Sequence, residues 1–205
     1  MKYLLDIILL IFILPISIIV LPIISILILI LDSKPIIYSQ YRVGLKGKEF
    51  RLYKFRTMTE SSDESIHEDH YKNLSLNKNI HPSLSPDDPI RIENDDRITN
   101  IGSFLRKTSL DELPNIINVL FGQMSFVGPR PLVKYESDLY GEYLESRNSI
   151  KPGITGLAQI QGRLDLSLQE RLYWDLIYVE KKSFIYDLQI IIKTIISVIS
   201  RRGAN

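Results

Sequence analysis

The hydrophobic pattern divides this chain into an apolar N-terminal segment and a mixed remainder. From Ile7 to Leu31 the sequence contains no charged residue, and two serines and two prolines interrupt an otherwise aliphatic and aromatic run. At about 1.5 Å of rise per residue, a straight helix of this length would cross the roughly 30 Å hydrocarbon core of a bilayer. The pattern therefore predicts a membrane helix within residues 1–33.

The prolines leave two forms of this helix open. Pro15 and Pro22 each remove a backbone donor and crowd the carbonyl four residues earlier, which belongs to Ile11 and Ile18. Because an unpaired carbonyl is costly in lipid, it must be buried against protein, reach the interface or be capped by a hydroxyl such as that of Ser17. The helix is then either a kinked crossing helix or one that breaks near its middle and returns to the same face. The residues alone favour the crossing helix.

After residue 33, short periodic segments predict an α+β domain, predominantly helical with a small β-sheet, over residues 34–205. Alternating apolar and polar positions predict strands over 36–41 and 50–56, so that Lys54 and Arg56 would project from one face. Helical patterns cover 98–107, 135–149, 168–179 and 184–199, and a turn is predicted over 151–156. The strongly apolar helix 184–199 either packs in the domain or lies as an amphipathic helix in the membrane interface.

Residues 60–96 are acidic and punctuated by proline, which predicts a surface loop insertion. His67, His70 and His81 lie in this stretch near several acids. Their spacing matches no standard metal-binding pattern, so solvated loop residues are the favoured interpretation.

Charge and composition exclude several classes of partner and site. The net charge is +1, so no large field favours nucleic acid as a partner. The chain has no cysteine, which excludes disulfides and thiolate metal sites and fits a domain that faces the cytoplasm.

The stretch Asp111-Glu112-Leu113-Pro114 is typical of a helix start. Pro114 fits the first turn, where its missing donor matters least, with Asp111 at the cap and Glu112 at the first helical position. An apolar stripe would follow at Leu113, Ile116, Ile117 and Leu120. On one interpretation the two carboxylates only cap this helix and complement its dipole.

The second interpretation is phosphate chemistry. Helix amides would lower the pKa of Asp111 and keep it ionised, and an ionised aspartate can attack phosphorus. Glu112 could hold Mg²⁺, and Arg130, rigidly flanked by Pro129 and Pro131, could grip a phosphate. The nearby basic residues favour this interpretation over the cap.

A series of short motifs then follows along the chain. In order they are Tyr53-Lys54-Phe55-Arg56-Thr57-Met58, Asp111-Glu112-Leu113-Pro114, Asn118-Val119-Leu120, the segment 124–131, the segment 151–159 and Gln161-Gly162-Arg163. Together they resemble the bacterial sugar transferases, the monotopic phosphoglycosyl transferases that begin the assembly of membrane-linked glycans. The resemblance covers residues 1–59 and 97–203, and the order of the motifs makes it specific.

The resemblance implies a two-step reaction. Asp111 would attack the β-phosphate of a UDP-sugar and release UMP, and the phosphosugar would then pass to undecaprenyl phosphate. Glu112 would serve Mg²⁺ as the metal ligand. The competing hypothesis is a non-catalytic membrane-bound nucleotide-sugar sensor or scaffold for later glycosyltransferases, and a conventional transferase that releases UDP is a third.

The resemblance also implies a set of substrate-binding residues and a location. The binding residues are Lys54, Arg56, Arg106, Arg130, Pro131, Gln159, Arg163, Asp175 and Asp187. By the same likeness the N-terminal helix is re-entrant, with a break nearest Pro22, although the family's Ser-Pro pair is missing here. The catalytic domain would then face the cytoplasm from the bacterial inner membrane, in contact with membrane lipid, and a homodimer is left open.

Overall fold

The structure is a computed structural model that describes residues 2–32, 34–59, 97–162 and 165–200. The first helix, α1, is Lys2–Leu31, and the strands are β1 (Ile37–Val43), β2 (Glu49–Phe55), β3 (Ser125–Val127) and β4 (Gly153–Thr155). The remaining α-helices are α2 (Asn100–Thr108), α3 (Ile116–Leu120), α4 (Lys134–Asp138), α5 (Tyr143–Arg147), α6 (Leu157–Gln161), α7 (Leu168–Lys181) and α8 (Phe184–Ile199). Helices predominate over two small sheets, which confirms the predicted fold class. The predicted insertion 60–96 lies outside the described residues.

Helix α1 is long and apolar enough to cross a membrane, and little of its apolar part is buried in the protein. It contains both prolines, so the break expected at Pro22 does not divide it into two helices, and re-entrance stays a prediction. The hydroxyl of Ser17 donates to the carbonyl of Ile13 at 2.8 Å, and that of Ser25 donates to Leu21 at 2.8 Å. Neither serine therefore caps Ile11 or Ile18, because each bonds the carbonyl one turn before itself.

Both ends of α1 pack against the rest of the chain. Near its start, Asp6 is buried and accepts from the Ser125 hydroxyl at 2.8 Å and the Phe126 amide at 2.9 Å. Near its end, Ile24 and Ile28 join a buried cluster with residues of β2 and α2. Side chains in between, at Leu9, Leu10 and Ile13, pack against the main core. One face of the helix is therefore part of the domain's hydrophobic core.

Strands β1 and β2 form an antiparallel hairpin in which Tyr38 lies opposite Lys54. The turn between them is a 3-10 helix, Leu45–Gly47, with Lys46 at φ 54°. Phe50, Leu52 and Phe55 are buried, which places the intervening Lys54 at a fixed position against the core. The alternating sequence of this segment thus predicted the strand correctly.

The segment 151–156, predicted to be a turn, instead contains strand β4, which pairs in parallel with β3. The Ser125 amide donates to the Pro152 carbonyl at 2.9 Å, and the Gly128 amide donates to the Thr155 carbonyl at 2.8 Å. A Cβ atom on Gly153 would lie 2.1 Å from the Gly128 nitrogen, so only glycine permits this approach. The pair Pro152-Gly153 suggested a turn, but in the structure it allows β3 and β4 to pair closely.

The helix predicted over 135–149 is also wrong, because two short helices, α4 and α5, replace it. Gly141 lies between them with φ at +50°, a conformation that a helix interior does not adopt. Tyr140 is buried at this corner with Leu132 and Leu172.

The apolar stripe expected after Asp111 is only partly buried. Ile116 and Val119 lie in the interior, whereas Ile117 and Leu120 are 37% and 48% exposed. Helix α8 has the same character: Ile190 is buried, while Ile185, Ile192, Ile195, Ile196 and Ile199 are exposed. Among the described residues these faces are apolar surface, a composition suited to lipid.

Candidate active site

The two carboxylates of the central motif lie in the first turn of a helix that begins earlier than predicted. Ser109, in the left-handed conformation at φ 56°, ends α2 and directly begins a 3-10 helix, Leu110–Asn115. The predicted cap at Asp111 is therefore wrong, and Asp111 and Glu112 both lie in the first turn. The Ser109 side chain makes no capping hydrogen bond at this start, and both carboxylates interact with charged groups from other elements.

Glu112 is shared between two cations from distant parts of the chain. Its Oε1 accepts from Lys54 Nζ at 2.7 Å and from Arg130 Nη1 at 3.1 Å. The Glu112 side chain is 19% exposed, so these pairs are largely screened from water. Burial alone would raise the pKa of this carboxyl, but the two cations outweigh it and hold the pKa at about 2. Glu112 is therefore ionised throughout the physiological range.

The pKa of Asp111 is shifted in the opposite direction. Burial raises the pKa of its carboxyl, and the charge on Glu112 raises it further, while Lys54 and Arg106 oppose the change. This corrects the expectation that helix amides would lower the pKa, because desolvation dominates here. Arg106 is held near the motif by its Nε, which donates to Thr57 Oγ1 at 2.9 Å.

The loop after β3 carries Arg130, and its main chain is anchored at several carbonyls. The Pro129 carbonyl accepts from the Gly153 amide at 2.9 Å, and the Arg130 carbonyl accepts from Arg147 at 2.6 Å. The Pro131 carbonyl accepts from Arg42 at 3.4 Å. Pro131 also lines a cavity of about 10 Å³, room for about one water, together with Arg42, Lys54, Glu112, Asn115 and Arg130.

The structure thus brings Lys54, Arg106, Asp111, Glu112 and Arg130 together, but it places other predicted binding residues elsewhere. The guanidinium of Arg56 donates to the carbonyls of Lys34 at 2.8 Å and Asp32 at 2.6 Å, so it does not share a face with Lys54. The reason is that β2 ends at Phe55, and Arg56 belongs to the chain that meets the end of α1.

Asp175 and Asp187 are each bound to a buried partner. Asp175 Oδ2 accepts from Arg147 Nε at 2.8 Å, and Asp187 Oδ1 accepts from the Tyr178 hydroxyl at 2.6 Å. Tyr178 in turn accepts from Lys2 at 2.6 Å, so Asp187 belongs to the contact with the start of α1. Their predicted role in binding substrate stays a prediction.

Among the remaining predicted residues, Gln159 lies on α6. Gln159 has both side-chain polar atoms buried and without a hydrogen-bond partner among the described residues, which leaves its amide available to a ligand. Arg163 lies outside the described residues.

Sequence reasoning missed Arg42 and Asn115, which line the cavity. Arg42 Nε and Asn115 Oδ1 are buried without hydrogen-bond partners among the described residues. Asn115 follows Pro114 directly and could have been noticed as part of the motif. Arg42 gave no local signal, because only strand pairing and the Pro131 loop bring it to the site.

The carboxylate pair fits a hard divalent cation in part. Glu112 offers Oε2 beside its ion-paired Oε1, and Asp111 is adjacent in the chain. No group of three or more acidic, histidine or cysteine side chains that could hold a metal occurs in the part of the chain that the structure describes. Mg²⁺ commonly takes one or two carboxylates and completes its shell with phosphate oxygens and water, so this donor set suits it.

Two partly buried carboxylates held among cations, beside an apolar helix of membrane-spanning length, define a charged site at the edge of an apolar surface. The sequence profile described as bacterial sugar transferase matches residues 1–201. The chain belongs to the bacterial sugar transferase family.

Several curated relatives are similar in sequence to this chain. The undecaprenyl-phosphate galactose phosphotransferase of Salmonella typhimurium is 43% identical over 84% of this chain and 35% of its own length. The exopolysaccharide production protein ExoY of Sinorhizobium fredii is 40% identical over 84% of this chain and 74% of its own length. The UDP-glucose:undecaprenyl-phosphate glucose-1-phosphate transferase of Klebsiella pneumoniae is 39% identical over 78% of this chain and 32% of its own length. The chain spans about a third of the length of the Salmonella and Klebsiella relatives.

The shared carboxylate gives a test of the site's electrostatics. Replacing Glu112→Gln leaves Lys54 and Arg130 without their counter-ion, and we expect a loss of about 3 kcal/mol or more in the free energy of unfolding. The double variant Lys54→Met/Glu112→Gln should recover part of that loss, because one buried cation is removed. Thermal unfolding in one detergent or lipid would measure both.

The matched control is the exposed ion pair of Lys134 and Asp138, in which Nζ lies 2.6 Å from Oδ1. Lys134→Gln should change stability by less than about 1 kcal/mol, as exposed pairs usually do. Equal losses of stability in Glu112→Gln and Lys134→Gln would contradict the conclusion that Glu112 is a partly buried carboxylate shared by two cations.

Proposed function

We propose that this protein is a phosphoglycosyl transferase that moves a sugar-1-phosphate from a UDP-sugar to undecaprenyl phosphate and releases UMP. The observation that carries the proposal is the pairing of Asp111, which has a raised pKa, with Glu112, which Lys54 and Arg130 hold ionised. The names of the relatives, which include undecaprenyl-phosphate sugar-phosphate transferases, support it. By this activity the protein would begin the synthesis of a membrane-linked glycan, such as an exopolysaccharide.

The charges around Asp111 support a two-step mechanism. Its carboxylate attacks the β-phosphorus of the UDP-sugar, the new Asp–O–P bond forms, and the bond to the bridging oxygen breaks so that UMP leaves with that oxygen. A phosphate oxygen of undecaprenyl phosphate then attacks the same phosphorus, and Asp111 leaves as a free carboxylate. Lys54, Arg106 and Arg130 offset the negative charge that both steps gather at this phosphorus.

Glu112 would hold Mg²⁺ together with phosphate oxygens, and the bound ion would supply further neutralisation of the diphosphate. Its binding leaves the roles of the protein groups unchanged. Glu112 orients Lys54 and Arg130 through Oε1, and Asp111 remains the nucleophile.

The contacts of α1 support a placement of both its ends on one side of the membrane. A straight crossing helix of this length would separate its ends by about 45 Å, on opposite faces. Here Asp6 near the start and Ile28 near the end both contact the one domain. We therefore propose a re-entrant or interfacial α1 with the domain on the cytoplasmic face, where nucleotide sugars are made. The exposed apolar surface of α8 would lie against the same leaflet.

The first test is the identity of the released nucleotide. Purified protein with Mg²⁺, undecaprenyl phosphate and a panel of UDP-sugars should release UMP from at least one donor. Asp111→Asn should reduce release by about 10³-fold or more while the far-UV circular dichroism is unchanged, because the nucleophile is lost. UDP as product would replace this mechanism with ordinary glycosyl transfer. Binding of a UDP-sugar without any release would favour the sensor or scaffold.

The raised pKa of Asp111 predicts an acid limit on activity. Because the attacking form is ionised and burial raises its pKa, kcat/KM should fall as pH decreases through a value above the ordinary range of aspartate. Arg106 lowers this pKa, so Arg106→Gln should move the acid limb to higher pH. The exposed neighbour variant Lys107→Gln should leave the limb in place. An unmoved limb in Arg106→Gln would contradict the assignment of this limb to Asp111.

The absence of native cysteines allows a direct test of the α1 topology. Single cysteines at Tyr3, near the start of α1, and at Glu49, on the exposed side of the domain, would report the two locations. A membrane-impermeant maleimide should label both from the same side in inside-out vesicles, and neither in right-side-out vesicles. Labelling of the two positions from opposite sides would mean a crossing helix.

A further inference from the structure

A buried ion pair lies behind the site, and none of the proposed steps uses it. Arg147, in α5, donates from Nε to Asp175 Oδ2 at 2.8 Å, and its Nη2 lies 2.8 Å from the same oxygen. Both side chains are only 1% exposed. The ring of Tyr140 lies 5.5 Å from the Arg147 guanidinium and covers one side of it. The guanidinium is therefore fixed in position by charge and by packing.

The same guanidinium reaches the loop that carries Arg130. Arg147 Nη2 donates to the Arg130 main-chain carbonyl at 2.6 Å. On the other side of that residue, the Arg130 guanidinium donates to Glu112 at 3.1 Å. Asp175 and Glu112 thus lie at the two ends of a continuous line of contacts that runs through Arg147 and Arg130.

The loop depends on such contacts because its sequence limits its own hydrogen bonds. Pro129 and Pro131 have no amide hydrogen, so the carbonyls carry much of the anchoring. The carbonyls of Pro129 and Leu132 accept from main-chain amides at 2.9 Å and 2.7 Å. The Arg130 carbonyl between them accepts from the Arg147 side chain. Arg147 therefore holds the residue whose side chain contacts Glu112.

We propose that Arg147, oriented by Asp175, is a positioning residue that sets where the Arg130 guanidinium meets the substrate phosphate. This inference rests on the proposed function for what Arg130 binds. It also changes the predicted role of Asp175, which acts from behind the loop through Arg147 rather than by touching substrate.

The chemistry of arginine explains why this residue type is suited to the position. A planar guanidinium can donate to a carboxylate and to a carbonyl at fixed angles at the same time, which a lysine ammonium does less well. Buried ion pairs are often no more stabilising than well-packed apolar side chains of similar volume. The pair can therefore be removed while the fold is kept, and that separates positioning from stability.

The test replaces the pair by apolar side chains in the double variant Arg147→Met/Asp175→Leu. We expect the melting temperature to stay near that of the wild type and kcat/KM for UMP release to fall by about 10- to 100-fold, as a small misplacement of a binding group does. Tyr140→Phe is the matched control. It keeps the ring over Arg147, removes a hydroxyl that has no hydrogen-bond partner among the described residues, and should leave activity unchanged. Wild-type kcat/KM in the double variant would overturn the proposal.

A double-mutant cycle shows whether the effect passes through Arg130. In an Arg130→Met background, Arg147→Met/Asp175→Leu should lower kcat/KM for UMP release by no more than about 3-fold. The reason is that the guanidinium that Arg147 positions is already absent. A loss as large as in the wild-type background would mean that the pair acts on another part of the protein, and the proposal would fail.

Hydrogen exchange tests the proposal without any catalytic readout. In the double variant, the amides of Gly128, Arg130 and Leu132 should exchange faster, while the amides of α7 keep their wild-type protection. Unchanged exchange at these three amides would overturn the positioning role. If the wild type released no UMP but this loop still loosened, the proposed function would fail and the structural role of Arg147 would stand.

Discussion

The Glu112 carboxylate, shared between Lys54 and Arg130, is the interaction on which the site depends. It joins the hairpin strand β2, the 3-10 helix of the central motif and the loop after β3, which are far apart in the chain. An unpaired charge in any of these partly buried positions would cost several kcal/mol, so each group requires the others. Burial raises the pKa of the adjacent Asp111, against the opposing effect of Lys54. The ion pair network thus determines the geometry of the motif.

The apolar helix α1 imposes a second constraint, and it acts on the same elements. Ile24 and Ile28 are buried against Phe55 and Leu105, with Leu110 beside them. In sequence, these three residues directly neighbour Lys54, Arg106 and Asp111. Apolar packing against α1 thus aligns the main chain at each of three charged positions. The apolar helix α1 is in this sense a structural component of the site.

Much of the organisation could be predicted from local patterns. The apolar run of α1, the alternating strand β2 and the periodic helices α7 and α8 each carry their signal within a few neighbouring residues. The wrong predictions concern segments whose local sequence is compatible with two different structures. A Pro-Gly pair at 152–153 indicated a turn, yet it forms a strand because β3 lies beside it. A cap was expected at Asp111, yet Ser109 begins the helix because the preceding helix ends there.

The sequence by itself determined the class of chemistry: adjacent carboxylates, a proline-flanked arginine, an apolar helix and an ordered set of family motifs. Only the tertiary structure decided which charges meet. It brought Arg42 and Asn115 to the cavity, turned Arg56 to the end of α1 and placed Asp175 behind Arg147. The physical reason is that charge interactions act over a few ångströms in space. Distance along the chain says little about that separation until strands pair and helices pack.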